Sequence, residues 1–212
     1  PESFSDATYS ALKERSVGLG VMGLHSLFQQ KKIPFESVMS KVWNKKIFAN
    51  IQKQVDQASK DLAEERGPCP DAAEYGINER FSNKTAIAPT ASISIICGGT
   101  SPGIEPIAAN SYTHKTLSGS FNVRNKYLTE VLEKYGKNDE ETWSSITTNQ
   151  GSVSHLDFLT QEEKDVFKTA FELDQRWIVD LGGDRTPHIS QAQSINIFIP
   201  ADIHKKIGRA HV

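Results

Sequence analysis

Cysteine, methionine and any net excess of one charge are all scarce in this 212-residue chain. Its two cysteines, Cys69 and Cys97, are too few for a disulfide framework or a metal-ligand cluster, and they fit a reducing compartment. The 24 basic and 26 acidic residues nearly cancel to a net charge of −2, so the composition carries neither a nucleic-acid footprint nor an acidic tail. No apolar run approaches the roughly 20 residues that cross a bilayer. The first ten residues, PESFSDATYS, lack the basic and apolar regions of a secretory signal. A soluble, cytoplasmic protein with no membrane and no direct nucleic-acid partner is expected. The histidines at 25, 114, 155, 188, 204 and 211 form no H-E-x-x-H pattern and no close pairing with cysteine. No metal site is expected, and packing or surface roles are the default for each.

What is present reads as one domain or part of one, helix-rich with isolated strands and without internal repeats. Residues 16–31, SVGLGVMGLHSLFQQK, predict a buried helix whose small residues admit a close neighbour, ended by Pro34. From Ser37, the apolar residues Val38, Val42, Ile51, Val55, Ala58 and Leu62 recur at helical spacing, predicting a long amphipathic helix that ends at Gly67 and Pro68. Thr85 to Ala88 reads as a short buried strand stopped by Pro89, feeding a helix that starts at Thr90 to Ile93 and is capped by hydroxyl residues. GGTSPGIEP, Gly98 to Pro106, is dense in turn residues and predicts an ordered loop. Short helices are expected over 125–135 and 139–149. The capping-box pattern from Thr160 to Glu163 opens a helix whose apolar stripe, Val166 to Leu181, reaches Gly182 and Gly183. Alternation from Ser194 to Ile199 predicts a terminal strand.

Several constellations have two readings each. Gly18, Gly20 and Gly23 satisfy G-x-G-x-x-G, which in a dinucleotide-binding fold brings a pyrophosphate against a helix terminus. The preceding LKERS is a poor buried strand and no suitable acid follows about 20 residues later, so these are read as packing glycines. The junction at Pro89 to Ser92 offers the unpaired N–H groups of a helix start, which suit a phosphate and equally suit simple capping. Cys97, beside Gly98 and Gly99, has no general base assignable to it and is read as a buried, inert thiol. Glu105, between Ile104 and Pro106, is either a catalytic acid or a partner for nearby backbone.

Four runs then occur in a fixed order: RSVGLGVMGLHSLF from Arg15, DLAEERGPCP from Asp61, APTASISIICGGTSPGIEPIAANSYTHKTLSGSF from Ala88 to Phe121, and DRTPHISQAQSINIFI from Asp184. Together, from about Arg15 to Lys206, they resemble the large catalytic subunit of class I ribonucleotide reductases. The resemblance implies the later portion of a ten-stranded α/β barrel over residues 1–206. It also implies that Thr90, Ala91, Ser92 and Ile93 bind the substrate's phosphates. Ile93 departs from members with a hydroxyl residue there, which leaves it only its backbone N–H. The family's radical cysteine, in Asn-x-Cys-x-Glu, and its tyrosine pair have no match in the chain, so no catalytic residue is expected in it and the piece alone is expected to be inactive. The resemblance further implies a ribonucleoside diphosphate substrate, a radical-generating small subunit with a metal cofactor, a dithiol reductant, nucleotide effectors bound outside this segment, and a large-subunit homodimer. A cobalamin-dependent relative and a non-catalytic phosphate-binding module are the alternatives. Pro1 is not a normal initiator and the chain is expected to be a fragment. Its last residues, KIGRAHV, match a one-frame translation of a common sequencing-library adapter, so Ile207 to Val212 are expected to be non-native.

Overall fold

The computed structural model describes residues 4–116 and 119–200, and the C-terminal tail at 207–212 lies outside them. Three extended segments lie side by side and parallel. Their hydrogen bonds run from Val17 N to Asn83 O, from Leu19 N to Lys84 O, and from Ala86 N to Leu19 O on one side. On the other they run from Ile87 N to Ala192 O and from Ser194 N to Ile87 O. Residues 83–88 are the middle member, bridged to Leu19 through Thr85 and to Gln193 through Ile87. Thr85 and Ile87 are buried, as the sequence predicts for this run. The side chain of Ser190 locks one edge: its hydroxyl oxygen accepts from Lys84 N at 2.8 Å and Thr85 N at 2.9 Å, while Ser190 N donates to Thr85 Oγ1 at 2.9 Å.

Helices α1 (Ser5–Glu14), α2 (Leu24–Gln30), α3 (Val38–Arg66), α4 (Pro70–Glu74) and α5 (Ala91–Ile96) are followed by an antiparallel hairpin, β1 (Ser111–Thr116) and β2 (Gly119–Arg124). Helices α6 (Lys126–Lys134), α7 (Glu140–Thr148), α8 (Gln161–Val166) and α9 (Arg176–Arg185) complete the order. Two extended segments lead into helices, 17–20 into α2 and 83–88 into α5, and the third follows α9. This alternation of parallel segments with helices is the local signature of α/β architecture.

The helix expected over 16–31 is a correction. Only Leu24–Gln30 is helical, and residues 17–20 are extended. Its glycines do permit a close neighbour, but that neighbour is a strand: a Cβ on Gly20 would lie 2.8 Å from Ala86 O. Gly23, at φ +84°, turns the chain into the helix.

The long helix spans Val38–Arg66, with Ser37 accepting from Ser40 N at its start and Gly67 at φ +81° at its end. Its buried face differs from the apolar stripe. Val38 is 76% exposed and Val42 is exposed, whereas Ser40, Asn44, Phe48, Ser59 and Ala63 are buried. Small and hydrogen-bonding side chains let α9 approach, and Asn44 Nδ2 donates to Leu181 O at 2.9 Å. Arg185 of α9 is buried against the same face. It donates from Nε to Gln193 Oε1 at 2.6 Å, and its guanidinium lies 5.7 Å from the Phe48 ring centroid. Burial lowers its pKa to about 10.

The helix expected from Thr160 to Gly183 is two helices. The capping box is present, with Glu163 N donating to Thr160 Oγ1 and Thr160 N to Glu163 Oε2. The chain then leaves the helix, because Glu172 takes Thr169 N, Glu36 takes Asp174 N, and Asp174 takes Arg176 N. The break splits the apolar stripe between two cores. Val166 and Phe167 join Leu128, Leu132, Trp143 and Ile146 beneath α6 and α7. Leu173, Ile178 and Leu181 join Leu24, Phe28, Phe35, Phe48, Ile87 and Ile104.

The terminal strand is also corrected. Beyond Ser194 the chain has no ladder partner among the described residues and is held by side chains: Asn196 N donates to Glu105 Oε1, and Phe198 N to Gln175 Oε1. The two short helices expected around Gly136 are α6 and α7, each with a side-chain cap, Asn125 and Asp139 respectively.

Gly151 packs tightly against the 109–110 segment, and Asn110 N donates to its carbonyl. Its φ is +80°, and a Cβ there would meet Ala109, with Cα at 2.6 Å and the Asn110 nitrogen at 2.9 Å. Gly151→Ala is therefore expected to cost about 3 kcal/mol through the left-handed backbone and the clash together. A urea titration checks this, and a midpoint unchanged from the parent contradicts it.

Candidate functional site

The segment 83–88 delivers the chain through Pro89 to Thr90, which adopts φ +51°, ψ +28°, a left-handed conformation unusual for a β-branched residue. Two contacts hold it there. Gly103 N donates to Thr90 Oγ1 at 2.7 Å, and Gly103 comes so close that a Cβ on it would lie 3.0 Å from Ala88 O. Since Thr90 Oγ1 is occupied as an acceptor, its own proton remains to be donated. The capping expected from Thr90 does not occur, because its side chain makes no cap hydrogen bond to α5. The N–H groups of Ala91, Ser92 and Ile93, in the first turn, therefore have no intrahelical partner. All three residues are exposed, while Thr90 is half-buried. Ser94, one position on, is buried and turned back, donating to Ala91 O at 2.8 Å. The structure thus brings Thr90, Ala91, Ser92 and Ile93 to one open helix mouth.

The loop that holds Thr90 is itself clasped by α2. Ser26 and Ser101 exchange reciprocal bonds, Ser26 N to Ser101 Oγ at 3.1 Å and Ser101 N to Ser26 Oγ at 2.8 Å. Gly23 N reaches Ser101 O, and Leu24 N reaches Gly103 O. His25 Nδ1 accepts from Ile107 N at 2.9 Å. That acceptance fixes the proton on Nε2, which is buried without a hydrogen-bond partner among the described residues. The ring stands edge-on to Phe35, with centroids 5.3 Å apart. Complete burial pushes the His25 pKa down to about 3, so the ring stays neutral.

Glu105 is buried and accepts from Asn196 N at 3.1 Å and Asn196 Nδ2 at 2.7 Å, the backbone-partner arrangement of its two readings. Cys97 is exposed, which corrects its reading as a buried thiol. It follows a short helix whose outer face is open, and Cys69 is the buried one. The glycines at 18, 20 and 23 pack against Ala86 and Thr100. Among the described residues no three His, Cys, Asp or Glu side chains are grouped to hold a metal ion, and no helix is long and apolar enough to cross a membrane. Sequence reasoning missed the clasp from α2. Its only signal was His25, Ser26 and Gln29 set inside an otherwise apolar helix.

Parallel extended segments alternating with helices, with a glycine-held loop at the end of the central one, define an α/β architecture. A family model described as "Ribonucleotide reductase, barrel domain" matches residues 2–78 and 70–210, and the chain belongs to that family. It is 46% identical over 210 residues to the ribonucleoside-diphosphate reductase large subunit of Invertebrate iridescent virus 6, covering 97% of this chain and 22% of that protein. Over 97% of this chain it is 31% identical to the large chain 2 of Saccharomyces cerevisiae, of which it covers 27%. Among solved structures, the class Id ribonucleotide reductase alpha subunit of Actinobacillus ureae matches with a TM-score of 0.81 and 39% identity, over 88% of this chain and 34% of that one. The chain thus spans well under half the length of these relatives.

A histidine whose folded pKa lies below its unfolded value binds its proton preferentially when unfolded. Its contribution is fully present above about 6.5 and is lost as pH falls toward about 3. By linkage, His25 is expected to remove roughly 3 kcal/mol between pH 7 and pH 4. In His25→Asn the amide oxygen can still accept from Ile107 N without titrating. Urea titrations across this range are expected to show a shallower loss in the variant, and equal slopes refute the assignment.

Proposed function

We propose that this segment supplies the substrate-phosphate loop of a ribonucleoside-diphosphate reductase, the enzyme that replaces the ribose 2′-hydroxyl with hydrogen. The observation that carries the reading is the open first turn of α5. Three exposed residues present N–H groups without intrahelical partners, and Thr90 is held beside them by Gly103 with its hydroxyl proton to give. A diphosphate offers enough acceptor oxygens for the N–H groups of Ala91, Ser92 and Ile93 and the hydroxyls of Thr90 and Ser92. The names of the relatives and the Ala88 to Phe121 run supply the substrate class.

In this reading the chain binds and orients, and the radical chemistry lies elsewhere. The chain contains neither Asn-x-Cys-x-Glu nor adjacent tyrosines. In this reading hydrogen abstraction from the ribose and the effector sites lie outside this segment, and a dithiol reductant and a metal-bearing small subunit act with the full-length enzyme. Exposed apolar side chains on α3 and near α4 and α9, among them Val38, Met39, Tyr75, Ile77 and Val179, favour this over a freestanding phosphate module, since a module would cover such faces.

Binding of CDP, followed by calorimetry in the longest polypeptide that carries this segment, tests the reading. Ser92→Ala removes one hydroxyl donor to an anion and is expected to weaken binding about tenfold or more, with Ser92→Thr restoring it. Gly103→Ala, strained at φ +48° and crowding Ala88 O, is expected to displace Thr90 and weaken binding by a similar factor. Affinity for CDP unchanged in both alanine variants overturns the proposal.

A further inference from the structure

Helix α2 starts without a cap of its own. Its N-cap residue is Gly23, and no side chain at that position accepts from the first turn, although Leu24, His25 and Ser26 are all buried. The N–H groups of a helix start need acceptors when water cannot supply them. Here the loop at 101–103 supplies them: Gly23 N donates to Ser101 O at 2.9 Å, Leu24 N to Gly103 O at 3.3 Å, and Ser26 N to Ser101 Oγ at 3.1 Å.

The side chain of Ser26 answers the loop in turn. Its hydroxyl oxygen accepts from Ser101 N at 2.8 Å, so the two serines close a ring of reciprocal bonds. Both are buried, and removal of either hydroxyl leaves a buried N–H unpaired. Two residues beyond Ser101, Gly103 N donates to Thr90 Oγ1 at 2.7 Å, and a Cβ on Gly103 would lie 3.0 Å from Ala88 O. The loop is thus wedged between the start of α2 and the end of the central extended segment. It has little freedom to shift without moving the Thr90 hydroxyl. Thr90, at φ +51° and without a cap bond to α5, takes its place from that loop.

We propose that Ser26 is a positioning residue for the diphosphate of a ribonucleotide, acting through Ser101 and Gly103 on the Thr90 hydroxyl, an inference that rests on the phosphate reading above. Ser26 touches no phosphate. It sets where the loop stands, and the loop sets where Thr90 donates.

CDP affinity, followed by calorimetry in the longest polypeptide that carries this segment, tests this through a double-mutant cycle. Ser26→Ala is expected to weaken binding about fivefold, and Ser26→Thr, which keeps the hydroxyl, to restore it. Ser26 also lines a cavity of about 310 Å3, which leaves room for the added methyl. In the Gly103→Ala background Thr90 is already displaced, so adding Ser26→Ala is expected to cost less than about twofold more. A merely structural role for Ser26 predicts the same loss in both backgrounds, and that result overturns the inference. Ser101→Ala, which breaks the other half of the pair, gives a second reading of the same cycle should Ser26→Ala fail to fold. Full affinity in Ser26→Ala, or in Ser101→Ala where that variant stands in, overturns the positioning role alone. Absence of CDP binding to the parent overturns the phosphate reading itself and this inference with it.

Discussion

The close approach of two parallel neighbours to residues 83–88 is the constraint on which the rest of the structure depends. On one side the neighbour must be glycine, since a Cβ on Gly20 would press on Ala86 O. On the other the neighbour brings a hydroxyl, Ser190, which satisfies two consecutive N–H groups at the start of the central segment. A buried extended segment cannot leave its polar groups unpaired, so these partners fix where it runs and where Pro89 ends it. The position of Thr90, and of the helix mouth after it, follows from that end point.

Polar groups organise the interior as much as apolar ones do. The Ser26 and Ser101 pair, His25 on Ile107 N, and Glu105 on Asn196 each tie an irregular segment to its neighbour through at least one buried side chain. Loops inside a protein survive only when such partners take up their backbone groups. The ordered character of Gly98 to Pro106 rests on this, and so does the unusual backbone of Thr90, which nothing in its own helix would hold.

Much of this was legible in the sequence. Apolar periodicity with the stop at Gly67 and Pro68 located α3, Gly136 separated α6 from α7, and the capping box at Thr160 marked the start of α8, because such signals act locally and need no tertiary partner. Where the reading failed, a long-range contact decided. Gly18 to Gly23 looks helical until Ala86 is placed beside it, and Val38 and Val42 look like core until α9 packs at Asn44 instead. The stripe from Val166 to Leu181 has the period of one helix but serves two cores. Family resemblance is what singles out Thr90 to Ile93 in the proposed reading. The residues that hold that mouth in place, Gly103 above all, are recognisable only once φ and distance are known.

The division of the stripe has a bearing on cooperativity. Residues 166–173 insert Val166 and Phe167 into one core and Leu173 into the other, with Ala170 N bonded to Ile107 O between them. Melting either core withdraws this stretch from its partner, so the two behave as one foldon, and a lesion beneath α7 is felt at the strands.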